Sequence, residues 1–460
     1  MNQFLLKIVE MNKKYITFIF LISFFTAPVL LQAQEVYDLS RCVITALEQN
    51  YSLKVARNQE EIAGNNVTRG NAGYLPTITT TDRYGGNLTT TVQNMNNGPQ
   101  NKSSGIFNST GSAALNLNWT IFNGYNVTTT YQKLNELKTV GEINTQMSVE
   151  NLIGQIVSEY YNYIEQLNYY KNLKYAVSLS RERVRIDEER YLLGASSKLE
   201  LLQSIVYLNA DSSLLARQNE SILESEVRLK RLMANENLEE NIAIKDSSIE
   251  INSELVYNDL LNATLNNNTS IQIARKNQTI SELDYKIIAS RAYPYLYFSS
   301  GYTYSYRGYG SGSISDYGAL SINNQQSRAF NYGLNLSMDL FDGNNRRREK
   351  TNARMEIQNR TIQSQEIVLE IKAELLTVFN AYENNLRLVQ MEKQNLEVAR
   401  ENLGIALERY KLGSLSGLEL REVQKSLLDA EERLISVQYQ TKLAEISLSQ
   451  ISGNIMSYAQ

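Results

Sequence analysis

The sequence predicts an α+β membrane protein. Strands from several copies of the chain form one transmembrane β-barrel, and long coiled helices continue from it on one side. Three observations predict this. The chain is written twice, at a spacing of about 219 residues. Each copy has a pair of segments in which apolar and small polar residues alternate. Each copy also has long stretches with apolar residues at steps of three and four.

Composition narrows the function before any motif is read. The chain has 460 residues, four prolines, one cysteine and no histidine. Without histidine there is no Ser-His-Asp triad and no Cys-His dyad. Zinc sites that use histidine cannot form, and one cysteine cannot build a four-cysteine site. No intrachain disulfide is possible. The net charge is −4, and no basic stripe of the kind that binds nucleic acid is present. The sequence implies no enzyme chemistry and no cofactor. Tyrosine dominates the aromatics, with 30 Tyr against 11 Phe and one Trp.

Residues 1–33 are predicted to be an address. Lys13 and Lys14 precede an apolar run from Tyr15 to Phe25, and Ala33 supplies a small residue for cleavage. Met11 could equally be the start. The apolar core is too short for a membrane anchor, and no later segment is apolar for 18 residues. Cys42 is not a lipoprotein cysteine, because Arg41 stands where a small residue is needed. It is expected to be a half-buried thiol on the first helix.

The two copies are assigned to residues 34–240 and 241–460. Arg190-Tyr-Leu-Leu-Gly-Ala-Ser-Ser-Lys-Leu-Glu-Leu201 matches Arg409-Tyr-Lys-Leu-Gly-Ser-Leu-Ser-Gly-Leu-Glu-Leu420 at eight of twelve positions. Leu115 to Gly124 matches Leu334 to Gly343 at the same spacing. Asn50, Ala56, Arg57 and Pro76 match Asn268, Ala274, Arg275 and Pro294, one residue closer. Each unit reads helix, β-hairpin, very long helix, turn, helix. The first helix is expected over 40–72 and again over 256–291, ending before Pro76 and Pro294, since the residue before proline avoids helical geometry.

The clearest strand is 330–340. Phe330, Tyr332, Leu334, Leu336, Met338 and Leu340 lie on one face, and Asn331, Gly333, Asn335, Ser337 and Asp339 on the other. Copy one repeats this with Ala113, Leu115, Leu117, Trp119 and Ile121 against Asn116, Asn118 and Thr120. Tyr302, Tyr304 and Tyr306 mark a third strand, and 77–84 a weaker fourth. The hairpin tips are expected at 87–108, which includes Pro99, and at 307–328. Strands of about ten residues with one apolar face fit a transmembrane barrel. A soluble sandwich with the apolar face inward is the alternative. Barrels begin at about eight strands, and open edges do not face lipid. Four strands per chain therefore imply two, three or four copies.

The last helix carries Leu420, Val423, Leu427, Ala430, Leu434, Val437, Thr441, Ala444, Leu448 and Ile451, an unbroken heptad seam. Copy one has Leu201, Leu208, Leu215, Ile222 and Leu229. The long helix over 345–412 has Val389, Leu396, Leu403 and Tyr410. It would be about 100 Å long.

The duplicated layout, the Phe-x-Gly that ends a strand before each long helix, and Arg-Tyr-x-x-Gly…Leu-Glu-Leu at both turns resemble the TolC-type outer-membrane efflux proteins. The resemblance covers the whole chain beyond residue 33. It implies a homotrimer with a twelve-stranded barrel and a helical periplasmic tunnel, in the outer membrane of a Gram-negative bacterium. It implies an exit duct for a tripartite efflux pump or a type I secretion system. The implied partners are a periplasmic adaptor, an inner-membrane transporter and outer-membrane lipid. Two other readings are an adaptor itself, whose single hairpin would not be duplicated, and a trimeric coiled-coil surface protein.

The resemblance also implies roles for particular residues. The two turns sit at the periplasmic tip, where adaptors dock: Arg190, Tyr191 and Gly194, with Arg409, Tyr410 and Gly413. Glu200, Glu419 and Glu422 match acidic positions that line the tip and select cations. No arginine lies within 413–419, where the family often keeps its gate tether. Asn335, Ser337 and Asp339 would face the barrel lumen. Arg346 to Arg348 are expected near lipid head groups or on a solvated helix start.

Overall fold

The structure is a computed structural model. It describes residues 36–94, 96, 100–239, 241–310 and 324–459. The signal segment, Pro99 and most of the tip expected at 307–328 lie outside the described residues.

Copy one comprises β1 (Val36–Tyr37), α1 (Leu39–Gln49), α2 (Tyr51–Asn65), α3 (Arg69–Ala72), β2 (Thr77–Gln93), β3 (Asn101–Asn123), α4 (Asn126–Leu192) and α5 (Lys198–Leu232). Copy two comprises β4 (Ala243–Ile244), α6 (Tyr257–Asn267), α7 (Thr269–Ser290), β5 (Tyr295–Gly308), β6 (Asn324–Ser337), α8 (Asn345–Lys411) and α9 (Gly417–Ile451), and a 3₁₀ turn follows at Ile455–Ala459. The two long helices, α4 and α8, have 67 residues each, and their followers α5 and α9 have 35 each. The expected 345–412 helix is therefore found almost to the residue.

The four long strands make one antiparallel sheet in the order β2-β3-β5-β6. Its register aligns the two faces across all four strands. Ile78 pairs with Leu117, Leu117 with Ser300, and Ser300 with Tyr332. Leu115 pairs with Tyr302, and Tyr302 with Phe330. Trp119, Phe298 and Leu334 align likewise. The opposite face carries Thr79, Asn116, Gly301 and Asn331 in one row. Strand parity puts successive residues on opposite faces, so this register gives one apolar and one small-polar surface. Ile78, Leu115, Phe330, Tyr332, Leu334 and Leu336 are all exposed in the single chain.

Three sequence expectations change. The first helix is not continuous in either copy: it breaks at Asn50 and at Asn268. Each asparagine accepts a bond from the backbone N–H three residues on, Leu53 or Ile271. Each also donates its amide to the last carbonyl of the 35-residue helix of its own copy, Leu232 or Ile451, at 2.9 and 3.0 Å. A capping side chain that also closes a helix C-terminus stabilises the break at both ends. Second, the tip expected over 87–108 is mostly strand, because Asn87 pairs with Asn108 and Val92 with Lys102. Third, β6 stops at Ser337 rather than Leu340. Ser337 pairs with Tyr295, the first residue of β5, and beyond Tyr295 the partner chain is Pro294 and offers no ladder.

Gly124 and Gly343 explain the Phe-x-Gly signature. Both have left-handed φ, 66° and 67°, and so do the next residues Tyr125 and Asn344. Two such residues in succession turn each strand into its long helix. A Cβ at Gly124 would lie 2.4 Å from the Ser290 carbonyl oxygen, so only glycine fits.

The largest core lies where the inter-repeat linker crosses the helices. Ile153, Ile156, Tyr160, Leu229 and Met233 pack there with Cys42, Val43 and Ala46. Cys42 is fully buried rather than half-buried, and burial pushes its thiol up to about 12. Among the described residues no helix is long and apolar enough to cross a membrane, and no cluster could hold a metal ion.

Candidate functional site

The two helix hairpins end together, and their turns build one tip. In each turn a glycine holds left-handed φ, 73° at Gly194 and 77° at Gly413. The Ala195 N–H reaches back to the Arg190 carbonyl, and the Ser414 N–H to that of Arg409, at 2.8 and 2.9 Å. This is the Schellman closure, and it leaves the next helix free to start. Ser197 and Ser416 then cap α5 and α9 through the backbone N–H of Glu200 and Glu419.

The acidic candidates are thereby placed. Glu419 completes a capping box: its carboxylate accepts from the Ser416 N–H at 2.9 Å and from the Ser416 hydroxyl at 2.8 Å. The backbone bond from Ser416 holds its carboxyl below the usual range. Glu200 accepts from the Ser196 hydroxyl. Glu422, one turn on, is exposed, as are the other two.

Arg190, Tyr410 and Gly413 come together across the two copies. The Arg190 guanidinium donates to the Tyr410 carbonyl at 2.5 Å and lies 4.8 Å from the centre of that ring. A Cβ on Gly413 would lie 3.3 Å from it. Tyr191 and Arg409, their counterparts in the other copy, are exposed. The Arg409 guanidinium donates to the Ser414 carbonyl of its own turn, at 3.2 Å.

Just above the turns lies a polar cluster that the sequence did not single out. The Tyr410 hydroxyl donates to Asp187, and Arg183 sits 3.7 Å from the same carboxylate. Burial, and then Asp187, push the Tyr410 phenol up to about 12. Gly417 makes room for Arg183, whose guanidinium nitrogen would lie 2.6 Å from a Cβ there. On the other side Arg421 grips Asp211 with two 2.8 Å bonds, and Ser180 donates to the same carboxylate. The Tyr207 ring lies between the two guanidiniums, 5.2 Å from Arg183 and 5.0 Å from Arg421. The one local signal was Arg183 and Asp187 at i, i+4. Asp211 and Arg421 are 210 residues apart and become neighbours only through the hairpin packing.

At the other end of the long helices, Asn335 lies on the small-polar face of the sheet and donates to the Ser299 hydroxyl at 3.0 Å. Ser337 shares that parity as the last residue of β6. Asp339 lies past the strand, so parity does not assign it a face. Its carbonyl accepts from Arg346 at 2.8 Å. Arg346 also pairs with Asp342 at 3.1 Å and bonds the Arg291 carbonyl, so it ties the strand end to the helix. Arg347 and Arg348 are exposed.

Similarities to known proteins agree with this architecture. The chain superposes on the outer-membrane channel OprN with a TM-score of 0.71 and 17% identity over 90% of each chain. VceC of Vibrio cholerae gives 0.69 and 18%, over 90% of this chain and 96% of that one. The CmeC channel of Campylobacter jejuni gives 0.67 and 18%, over 90% and 85%. A search of curated proteins gives no match. The family model described as outer membrane efflux protein matches twice, at residues 43–235 and 260–454, once in each copy. The chain belongs to the outer membrane efflux protein family: it is an outer-membrane efflux channel of a Gram-negative bacterium with a large periplasmic part, and not an enzyme.

Proposed function

We propose that three copies of the chain close one twelve-stranded barrel and one helical tunnel, forming the exit duct of a tripartite pump. The observation that carries this reading is the sheet. It has one apolar face in register over four strands, and β2 and β6 each pair on one side only. An open edge cannot lie in lipid, and a single chain has too few strands to curl onto itself. The exposed apolar residues Met355, Ile362, Leu369, Leu376, Val398 and Ile405 along α8 support the same reading below the membrane, since an uncovered stripe of this length needs a partner. Removal of residues 1–33 on export and a repeat boundary near 240 belong to this reading.

A periplasmic adaptor would dock on the tip formed by the two turns, around Arg190, Tyr191, Gly194, Arg409, Tyr410 and Gly413, and an inner-membrane transporter would complete the pump. Glu200, Glu419 and Glu422 would add carboxylates to the mouth three times over. Asn335 and Ser337 would face the barrel lumen. Fractionation tests the assembly. A heat-modifiable oligomer extracted from the outer membrane is expected; a soluble periplasmic monomer would sink the proposal.

A further inference from the structure

The polar face of the sheet carries charge of one sign. Arg83 pairs with Ser112, Ser112 with Ser305, and Ser305 with Ser327, so these four residues form one row across the strands. Arg307 stands two residues further from the helices on β5, between Thr110 and Gln325. Arg83 shares the strand parity of Thr79, and Arg307 that of Gly301, so both belong to the polar face. They lie two strands and two residues apart, about 12 Å. Both are exposed, and neither side chain makes an ion pair or hydrogen bond among the described residues. No carboxylate on that face answers them. Among the described residues of the four strands the one carboxylate is Asp82, and it shares a row with Ala113, Tyr304 and Arg328 on the apolar face. Arg328 sits there 5.9 Å from the centre of the Tyr304 ring. Lys102 lies beyond the four-stranded part of the sheet, where β3 pairs with β2 alone. The rest of the polar face is uncharged, chiefly Thr, Ser, Asn and Gly.

In the barrel proposed above, this face lines the lumen, and the two arginines lie towards its outer end, remote from the helices. Three chains would bring six guanidiniums there and no described carboxylate. Twelve strands tilted by about 40° put the backbone about 12 Å from the barrel axis. An arginine that reaches inward leaves the axis within about 8 Å, one Debye length at physiological salt. The whole cross-section is then positive, and the low-dielectric strand walls concentrate the field. A guanidinium also holds carboxylate or phosphate by two parallel bonds, which its neutral hydroxyl and amide neighbours cannot do. We infer that Arg83 and Arg307 form an anion-binding collar at the exit of the barrel, which takes the carboxylate or phosphate groups of exported solutes. The collar is opposite in sign to the carboxylates proposed for the periplasmic mouth, so the two ends of the duct favour different ions. The inference rests on the trimeric barrel and names the solute chemistry that its exit favours.

The test puts a reactive thiol in the row of Arg83, as Ser305→Cys, in the full-length protein in membranes. The native Cys42 is fully buried and does not compete. The thiol is treated with two methanethiosulfonates of similar reach and opposite charge, the sulfonatoethyl and the trimethylammonioethyl reagents. The ratio of anionic to cationic rate is expected to be about tenfold higher than for a free thiol, and to fall about fivefold when Arg83→Gln and Arg307→Gln are added. Arg83→Lys with Arg307→Lys should keep it, and 1 M salt, with a Debye length of about 3 Å, should abolish it. Inorganic pyrophosphate should slow labelling by the anionic reagent more than chloride at equal ionic strength, and only while the arginines are present. Protection no better than that by chloride would reduce the collar to a screened field and overturn the binding site. A ratio equal to that of a free thiol, or one that the double Gln variant leaves unmoved, would overturn the collar and leave the barrel standing. Labelling from water at Tyr332→Cys, with Ser305→Cys silent, would mean that the polar face does not line the lumen and would overturn barrel and collar together.

Discussion

Glu165 lies partly buried on α4, with an amide bond of 3.3 Å from Gln166 as its nearest help. Burial pushes its carboxyl up to about 7. A raised carboxylate costs stability only when ionised. The cost is absent below the unfolded value of about 4.3, grows as pH rises towards 7, and is constant above that. Glu165→Gln is therefore expected to raise the thermal midpoint at pH 8 and leave it unchanged at pH 4. After allowance for partial solvation the gain is on the order of 1 kcal/mol. A pH series of melting curves checks this, and a gain at pH 4 equal to that at pH 8 would contradict it. At the tip, Glu419 and Glu422 separate two roles. Glu419 is tied to its own cap, and its lowered carboxyl contributes stability that is present at neutral pH and lost as pH falls through its folded value. Glu422 has no such tie, so Glu422→Gln alone should remove most of any cation preference in planar-bilayer recordings. Unchanged selectivity in assembled Glu419→Gln/Glu422→Gln double variants would reject the acidic ring. The capping box and the Schellman closure have local signals, Ser-x-x-Glu and a glycine in both turns, although Ser-x-x-Glu was not singled out in the sequence. The Arg183, Asp187, Asp211 and Arg421 cluster was illegible, because its members come from three helices.

Heptad spacing made the long helices legible as elements, since an apolar seam repeated over many turns has no other periodicity to compete with it. The breaks at Asn50 and Asn268 escaped notice for the opposite reason. Asparagine is a common polar residue on a helix surface, and nothing local shows that its amide will reach Leu232 or Ile451. Asn268→Ala removes the cap and leaves a buried carbonyl without a partner, a loss of about 1–3 kcal/mol. Asn268→Asp keeps the cap acceptor and should recover part of it. Denaturant melts of the two variants would check this, and equal losses would mean that the cap bond carries nothing. The strands were read short because alternation is imposed only where one face meets lipid. The stretch 87–108 is rich in Asn, Thr, Ser and Gly, and still pairs to Val92 and Lys102. The parity within the sheet is testable. Leu336→Arg puts a charge on the apolar face at about 2–4 kcal/mol near the midplane, whereas Asn335→Arg points to the polar face and should assemble normally. Equal yields of folded oligomer would mean that the two faces are not lipid and water.

On the scale of the whole molecule, the duplication is what made the architecture readable. A chain that repeats helix, hairpin, helix and helix twice, with four long strands in one sheet among the described residues, would in the proposed assembly leave the closure of that sheet to other copies. Family membership shows an outer-membrane efflux protein, and the register shows one apolar and one polar face.

The cluster above the turns would give the end of the proposed tunnel an uneven mechanical grain. Inside the chain, the two hairpins are fastened by Arg421 on Asp211 and by Tyr410 on Asp187. Removing one partner of a buried ion pair such as Arg421–Asp211 leaves a charge uncompensated and costs about 3–5 kcal/mol. The counterparts of these residues at the proposed boundary between chains are Leu202, Ala430, Tyr191 and Ala406, none of them charged. The periplasmic mouth would then widen as three stiff leaves, each a whole chain, rather than as six independent hairpins. Spin labels report the difference. When the mouth opens, Ser196-to-Ser196 distances between chains should lengthen, while a Ser196-to-Ser414 pair in one labelled chain among unlabelled ones should hold its spacing. Lengthening of both would mean that the ion pairs give way with the rest. Asp211→Asn, which slackens the fastening, is then expected to turn three leaves into six.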